Sequence, residues 1–188
     1  MEFQLLGSLR VVEGDRDVTP ARPKQRALLA MLLLRRGEVV PGAELIEALW
    51  GEEPPSTAQT ALHGHVSAVR KLIGADRIKT RPPGYLLQVS TDEVDLDRFE
   101  SLVAHARQQG DPGERAACLR EALALWRGGP LAELRSAGFA EGEMARLEEL
   151  RLAAIEDRID ADLALGRHSV LVAAVSYTHL TLPTILRV

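Results

Sequence analysis

The sequence predicts a mainly α-helical protein with a small antiparallel β component, in which a three-helix unit flanked by short strands precedes an array of antiparallel helices. Three observations carry this. The first twenty residues run in short apolar segments broken by a turn, the habit of strands. From Pro23 to Gly74 the apolar spacing changes to three and four residues. From Asp95 onward the same spacing continues, broken only at Gly110-Asp111-Pro112-Gly113 and Gly128-Gly129-Pro130.

Each element follows from local chemistry. FQLL and LRVV read as strands, with a turn at Glu13-Gly14-Asp15 and a short return through Val18. PKQRALLAMLLLRRG opens with proline at a helix start, stops at Gly37 and carries two arginines near its C-terminus, as the helix dipole prefers. Pro41 opens a second helix, GAELIEALW, closed by Gly51. After the loop GEEPP, Ser56 or Thr57 is expected to cap a third. In RIKTRPPGYLLQV, Ile78, Leu86 and Val89 suit strands, and Pro82-Pro83-Gly84 makes a hairpin tip. Small sheet, three helices, basic hairpin is the order of a winged helix-turn-helix, expected over residues 1–91. LDRFESLVAHARQ, GERAACLREALALWRG and EGEMARLEELRLAAIEDRIDADLALG then form a second unit over 95–174. Helical hairpins of this length stack as tetratricopeptide-like repeats do, although periodicity alone supports only an antiparallel helical array.

Composition narrows the class. The chain has 188 residues, 46% hydrophobic and 27% charged, which describes a globular protein with a proper core. The single cysteine, Cys118, cannot form an intramolecular disulfide and reads as a small core residue. The N-terminus lacks a signal peptide's basic region and long apolar core, and the longest apolar run, Ala27–Leu34, is too short for a bilayer. A cytoplasmic protein with no membrane partner is expected. The net charge of −4 hides an asymmetry. Residues 1–90 hold 12 Lys and Arg against 10 Asp and Glu, whereas residues 91–188 hold 11 against 17. Within the first part, Arg70 to Arg81 has five basic residues and one aspartate. Local field, not net charge, decides whether a phosphate backbone is attracted.

The third helix is unusual. Leu62, Val66, Val69 and Ile73 form its apolar side, but the opposite side carries Thr60, His63, Gly64, Ser67 and Lys71 in place of the usual Glu and Lys. In a winged helix this element enters the major groove, where Thr60, His63, Ser67 and Lys71 can donate or accept at base edges. Gly64 and Ala68 permit close approach. Arg70 and Lys71 suit phosphates, which position without reading sequence. The hairpin adds Arg77, Lys79, Thr80, Arg81 and Tyr85, with Arg81 placed for the minor groove or for phosphate. A charged edge hairpin is also a common solubility device. Lys24 and Arg26 read equally as phosphate contacts or as solvated charges. Trp50 and Trp126 read as core. His63 and His65 are two apart and point in different directions, and no third ligand is near, so no metal site is expected. No catalytic constellation, phosphate-binding glycine loop or cofactor motif is present in the sequence.

Read in order, PKQRALLAMLL, LIEALWGEEPPSTAQTALHGHVSAVRKLIG, RIKTRPPGYLL and EVDLDRFESLV resemble a Streptomyces antibiotic regulatory protein, which joins an OmpR-type winged helix to a bacterial transcriptional activation domain. LREALALWRGGPLAEL and ARLEELRLAAIEDRIDADLALGRH resemble that second domain. The resemblance covers residues 1–174 and implies a sequence-specific transcriptional activator of a secondary-metabolite gene cluster. It implies double-stranded DNA at promoter repeats and RNA polymerase holoenzyme as partners, a homodimer on DNA as a further one, and no cofactor. Thr57–Ile73 would be the recognition helix and Arg77–Tyr85 the wing. The other reading is a helical protein-interaction module whose winged helix binds no DNA; the basic hairpin speaks against it. VSYTHLTLPTILRV, residues 175–188, breaks the Ala/Leu/Glu/Arg pattern, and Val175–Thr184 resembles the translation of a sequencing-library adapter, so this tail is expected to be non-native.

If the activation domain is cut short, Ile155, Ile159, Leu163 and Leu171 are left as an uncovered apolar face. Sedimentation velocity should then show dimers or larger species that grow with concentration; a clean monomer would count against it.

Overall fold

The computed structural model describes residues 1–134, 137 and 139–166. Strands β1 (Glu2–Gln4), β2 (Arg10–Glu13) and β3 (Arg16–Asp17) form an antiparallel sheet in that order, with Phe3 opposite Val11 and Glu13 opposite Arg16. Helices α1 (Pro23–Leu34), α2 (Gly42–Trp50) and α3 (Ala58–Ile73) follow. A second sheet has the order β4 (Val39–Pro41), β6 (Gly84–Leu87), β5 (Ile78–Arg81). The hairpin therefore has a third strand, β4, that was not expected. It sits in the α1–α2 loop, three residues too short to show a strand period.

Gly84 explains how β4 fits. It pairs with Pro41 on one side and Arg81 on the other, and a Cβ placed on it would lie 1.8 Å from the Val40 carbonyl oxygen. Only glycine allows that approach. Helix α1 has proline at its first turn as expected, but its apolar residues do not form a stripe: Ala27 to Leu33 are all buried in succession. A helix apolar all round is one enclosed on every side. Helix α3 begins at Ala58 with Thr57 at the N-cap, yet no side-chain cap bond forms. At φ −94°, ψ 10° the Thr57 backbone is not in the extended geometry that aims a hydroxyl back at the helix.

A 3₁₀ turn at Thr91–Glu93 leads into α4 (Asp95–Gln108), α5 (Pro112–Ala124) and α6 (Ala140–Ala164), which pack in sequence as an antiparallel array. The glycine breaks work as read: Asp111 caps α5, accepting from the Gly113 and Glu114 N–H groups at 3.2 and 3.3 Å, with Pro112 in the first turn. Trp126 is buried edge-on against Phe99, ring centroids 5.4 Å apart, with the Arg151 guanidinium 5.1 Å from its ring. Trp50 departs from expectation in being only half-buried, and Cys118 is likewise half-buried against the core. On α6, Leu152 and Leu163 are each 42% exposed and Ile155 and Ile159 half-buried. Leu171 and the tail from Val175 lie outside the described residues.

The two units share one apolar cluster, running from Phe3, Leu5 and Leu33 through Phe99, Leu119 and Trp126 to Leu147. Its seam is polar and ordered. Asp95, 2% exposed, accepts from the backbone N–H groups of Leu5 at 2.7 Å and Leu6 at 3.1 Å, and Arg127 reaches the same carboxylate at 3.5 Å. Arg127 N–H donates to the Leu6 carbonyl, Leu131 N–H to Gly7, and Leu9 N–H to the Glu133 carboxylate. Arg36 bonds Asp97, and Arg98 meets Glu2 at 2.5 Å. Burial pushes the Asp95 carboxyl up from its ordinary value, against the pull of its three donors.

Asp95→Ala would strand two buried N–H groups and Arg127. Urea unfolding should lose about 2–4 kcal/mol, with Asp95→Asn, which keeps one acceptor, losing less. Equal stability of all three proteins would show that the seam does not depend on this carboxylate.

Candidate nucleic-acid interface

Helix α3 is amphipathic in the manner the sequence indicates. Ala58, Leu62, Val66, Val69 and Ile73 are buried against α1 and α2, and Thr60, His63, Gly64, Ser67 and Lys71 are all exposed. These five positions recur at three- and four-residue spacing and so share one face. No acidic residue lies anywhere on the helix, and Arg70 and Lys71 occupy its last turn. Gly64 has open space where a Cβ would stand. His63 takes a hydrogen bond with the Gln59 amide at 3.1 Å and lies edge-on to Tyr85 of β6, ring centroids 6.5 Å apart. His65 faces the other way, 5.9 Å from the Trp50 ring. Among the described residues no three His, Cys, Asp or Glu side chains gather as metal ligands would.

The basic residues divide into two groups. Lys71 and Arg81 are exposed and make no ion pair among the described residues; Arg81 stands at the end of β5, next to the Pro82-Pro83 tip. Lys79 pairs with the fully exposed Asp76 at 3.1 Å, a contact too weakly held to keep it from another anion. The others are committed. Arg70 donates through Nε and Nη2 to the Ile78 carbonyl at 2.9 and 2.7 Å and through Nη2 to the Thr80 hydroxyl at 2.9 Å. Arg77 grips the Glu93 carboxylate with both terminal nitrogens, at 2.8 and 2.7 Å, and lies over the Phe3 ring. Lys24 donates to the Leu49 carbonyl at 2.6 Å and rests 4.6 Å from the Trp50 ring centre. Arg26 donates to the Pro20 carbonyl at 2.8 Å.

Arg70, expected at phosphate, and Arg77, expected on the hairpin's DNA surface, are thus both engaged within the protein. Arg70 turns inward because its planar fork matches the exposed edge of β5, and Arg77 because Glu93 begins the second unit beside it. Lys24 and Arg26, read equally as phosphate contacts or as solvated charges, are both tied to backbone carbonyls. Two exposed residues were missed. Gln59 lies one turn before His63, and the helical period could have found it. Arg22 is the exposed N-cap of α1, and Pro23 at the first helical position marks it. Its charge is felt locally: burial chiefly, then Lys24 and Arg22, hold the His65 imidazole below its ordinary pKa.

Two family models match the chain. The model for the "Transcriptional regulatory protein, C terminal" family matches residues 16–87, and that for the "Bacterial transcriptional activator domain" matches residues 94–184. The chain is 36% identical over 190 residues to the regulatory protein DnrI of Streptomyces peucetius, covering 94% of this chain and 70% of that one. It is 35% identical to the regulatory protein AfsR of Streptomyces griseus over 94% of its length but only 18% of the relative's. With the transcriptional regulatory protein EmbR of Mycobacterium tuberculosis it shares 37% identity over 95% of this chain and 49% of that one. A solved structure of Mycobacterium tuberculosis EmbR in complex with a low affinity phosphopeptide superposes with a TM-score of 0.89 at 36% identity, covering 95% of this chain and half of EmbR. The chain thus spans from under a fifth to about two thirds of these relatives' lengths.

The Arg77–Glu93 pair carries a pH signature. The two guanidinium bonds, first among several contacts, hold the Glu93 carboxyl down at about 2. A carboxylate depressed on folding adds stability above its unfolded value, and loses it as pH falls toward the folded one. The stability difference between the wild type and Glu93→Gln should be constant above about pH 5 and shrink by about 2–3 kcal/mol as pH falls from about 4.5 toward 2. A difference that does not change with pH would break the assignment.

Proposed function

Because the chain belongs to the Streptomyces antibiotic regulatory protein family, whose members join an OmpR-type winged helix to a bacterial transcriptional activator domain, we propose that it binds promoter DNA sequence-specifically and activates transcription of a secondary-metabolite gene cluster. One observation supports this above the rest: α3 offers an exposed face without a single acidic side chain, directly beside a hairpin whose Arg81 is free. In this reading Thr60, His63, Gly64 and Ser67 meet base edges in the major groove, with Gln59 added to them. Lys71, Lys79 and Arg22 neutralise phosphates, and Arg81 enters the adjacent minor groove or its phosphate wall. Arg77, Lys24 and Arg26 hold the reading surface in shape from within.

The second unit supplies the activating surface. Its carboxylates outnumber its basic residues, 15 against 10 over residues 95–174, which suits contact with polymerase rather than with DNA. Promoter repeats would seat two copies side by side, and RNA polymerase holoenzyme would be recruited to them. The cytoplasm is where such a protein works, and no described helix is long and apolar enough to cross a membrane.

Fluorescence anisotropy on the duplex upstream of its own gene cluster, against a scrambled duplex and over a range of salt, tests this. Binding should prefer the native sequence, and the log–log salt slope should be steep. Arg81→Ala and Lys71→Ala should each flatten that slope by about 1 and weaken both duplexes alike. Unchanged affinity and slope in both variants would refute the contact map, and no preference in a selection from random DNA would pass the lead to the protein-interaction reading.

A further inference from the structure

Resting on the reading of α3 and the hairpin as one DNA-binding surface, we propose that Arg70 is a positioning residue that touches no phosphate and sets the spacing between the groove-facing side chains of α3 and Arg81 on the hairpin. Strand β5 is an edge of its sheet, paired only with β6. Successive carbonyls of a strand point to opposite sides. The Arg77 carbonyl accepts from Gln88 N–H, toward β6, so the Ile78 carbonyl points outward, where there is no further strand. Arg70 fills that place from the last turn of α3. Its Nε and Nη2 both bond Ile78 O, at 2.9 and 2.7 Å, and Nη2 also bonds Thr80 Oγ1 at 2.9 Å.

The same guanidinium lies 5.8 Å from the Tyr85 ring, and Tyr85 pairs with Thr80 across the hairpin and meets His63 edge-on at 6.5 Å. One side chain thus ties together the strand that carries Arg81, the ring beneath the hairpin and, through that ring, the imidazole of the reading face. The covalent link from α3 to β5 is only Gly74 to Arg77, with Gly74 at φ +102°. Such a short link sets the reach of the hairpin but not its angle. A planar fork with three donor contacts can hold the angle, and a lysine ammonium at the end of a flexible stem cannot.

Arg70→Lys separates this role from a phosphate contact because it keeps the charge and loses the fork. Three full-length proteins, Arg70→Lys, Arg70→Gln and Thr80→Val, are compared with the wild type on the best duplex selected from random DNA and on a scrambled one, and their amide hydrogen exchange is followed without DNA. In Arg70→Lys, specific affinity should fall about tenfold while non-specific affinity and salt slope stay at wild-type values. Amides of Ile78–Leu87 should exchange about tenfold faster in the free protein, while those of α1 keep their protection. Thr80→Val should move both readouts the same way by less. If Arg70→Lys binds like the wild type with a fully protected hairpin, the positioning role is wrong. If Arg70→Gln alone flattens the salt slope by about 1, Arg70 is a phosphate contact instead. Because exchange is measured on the free protein, it tests the hold of Arg70 on the hairpin even if no duplex is bound specifically.

Discussion

The rest of the structure depends on one buried carboxylate. Asp95 receives the N–H groups of Leu5 and Leu6 where β1 runs out into the loop before β2, and it draws in Arg127 from beyond α5. Unbonded N–H groups buried at that place would each cost a free energy comparable to a large side-chain contact. Because Asp95 takes them, β1 can pack against α4 and the apolar cluster can pass unbroken from one unit to the other. The enclosure of α1 follows. Its seven consecutive buried residues are tolerable only in a helix covered on several sides, here by α2, α3, β6 and the segment at Ala132–Leu134.

This seam also decides how the basic residues are spent. The stretch from Arg70 to Arg81 looks uniformly basic, yet Arg77 is neutralised by Glu93 at the start of the second unit and Arg70 is folded onto the hairpin. What remains for an outside anion is Lys71, Arg81 and the loosely held Lys79, with Arg22 at the head of α1. For the proposed DNA contact, fewer free charges imply a shallower salt dependence than the raw count suggests, and a larger share of recognition left to shape and hydrogen bonding.

Particular residues show why some of the site was legible and some was not. Thr60, His63, Gly64, Ser67 and Lys71 could be placed on one exposed face because a helix repeats every 3.6 residues and the buried positions of α3 are unambiguous. Asp111 as a helix cap, and the breaks at Gly110–Gly113 and Gly128–Pro130, follow from equally local chemistry. Arg70 could not be placed in this way. Its partners are backbone and hydroxyl oxygens eight and ten residues on, and no sequence pattern marks a carbonyl as lacking a strand. Strand β4 was missed for a related reason: it exists because Gly84 lets β6 approach Val40, a contact between positions 44 residues apart.

By itself the sequence determined the order of the helices and of the hairpin, the amphipathic face of α3 and the family, since each depends on short-range periodicity, capping or motifs in a given order. Tertiary structure alone decided which cations are free, that the two units share one core, and that Asp95 is buried between them. Those outcomes depend on which surfaces meet across long loops, and a charged side chain looks the same in sequence whether its partner is water, a carbonyl or a carboxylate.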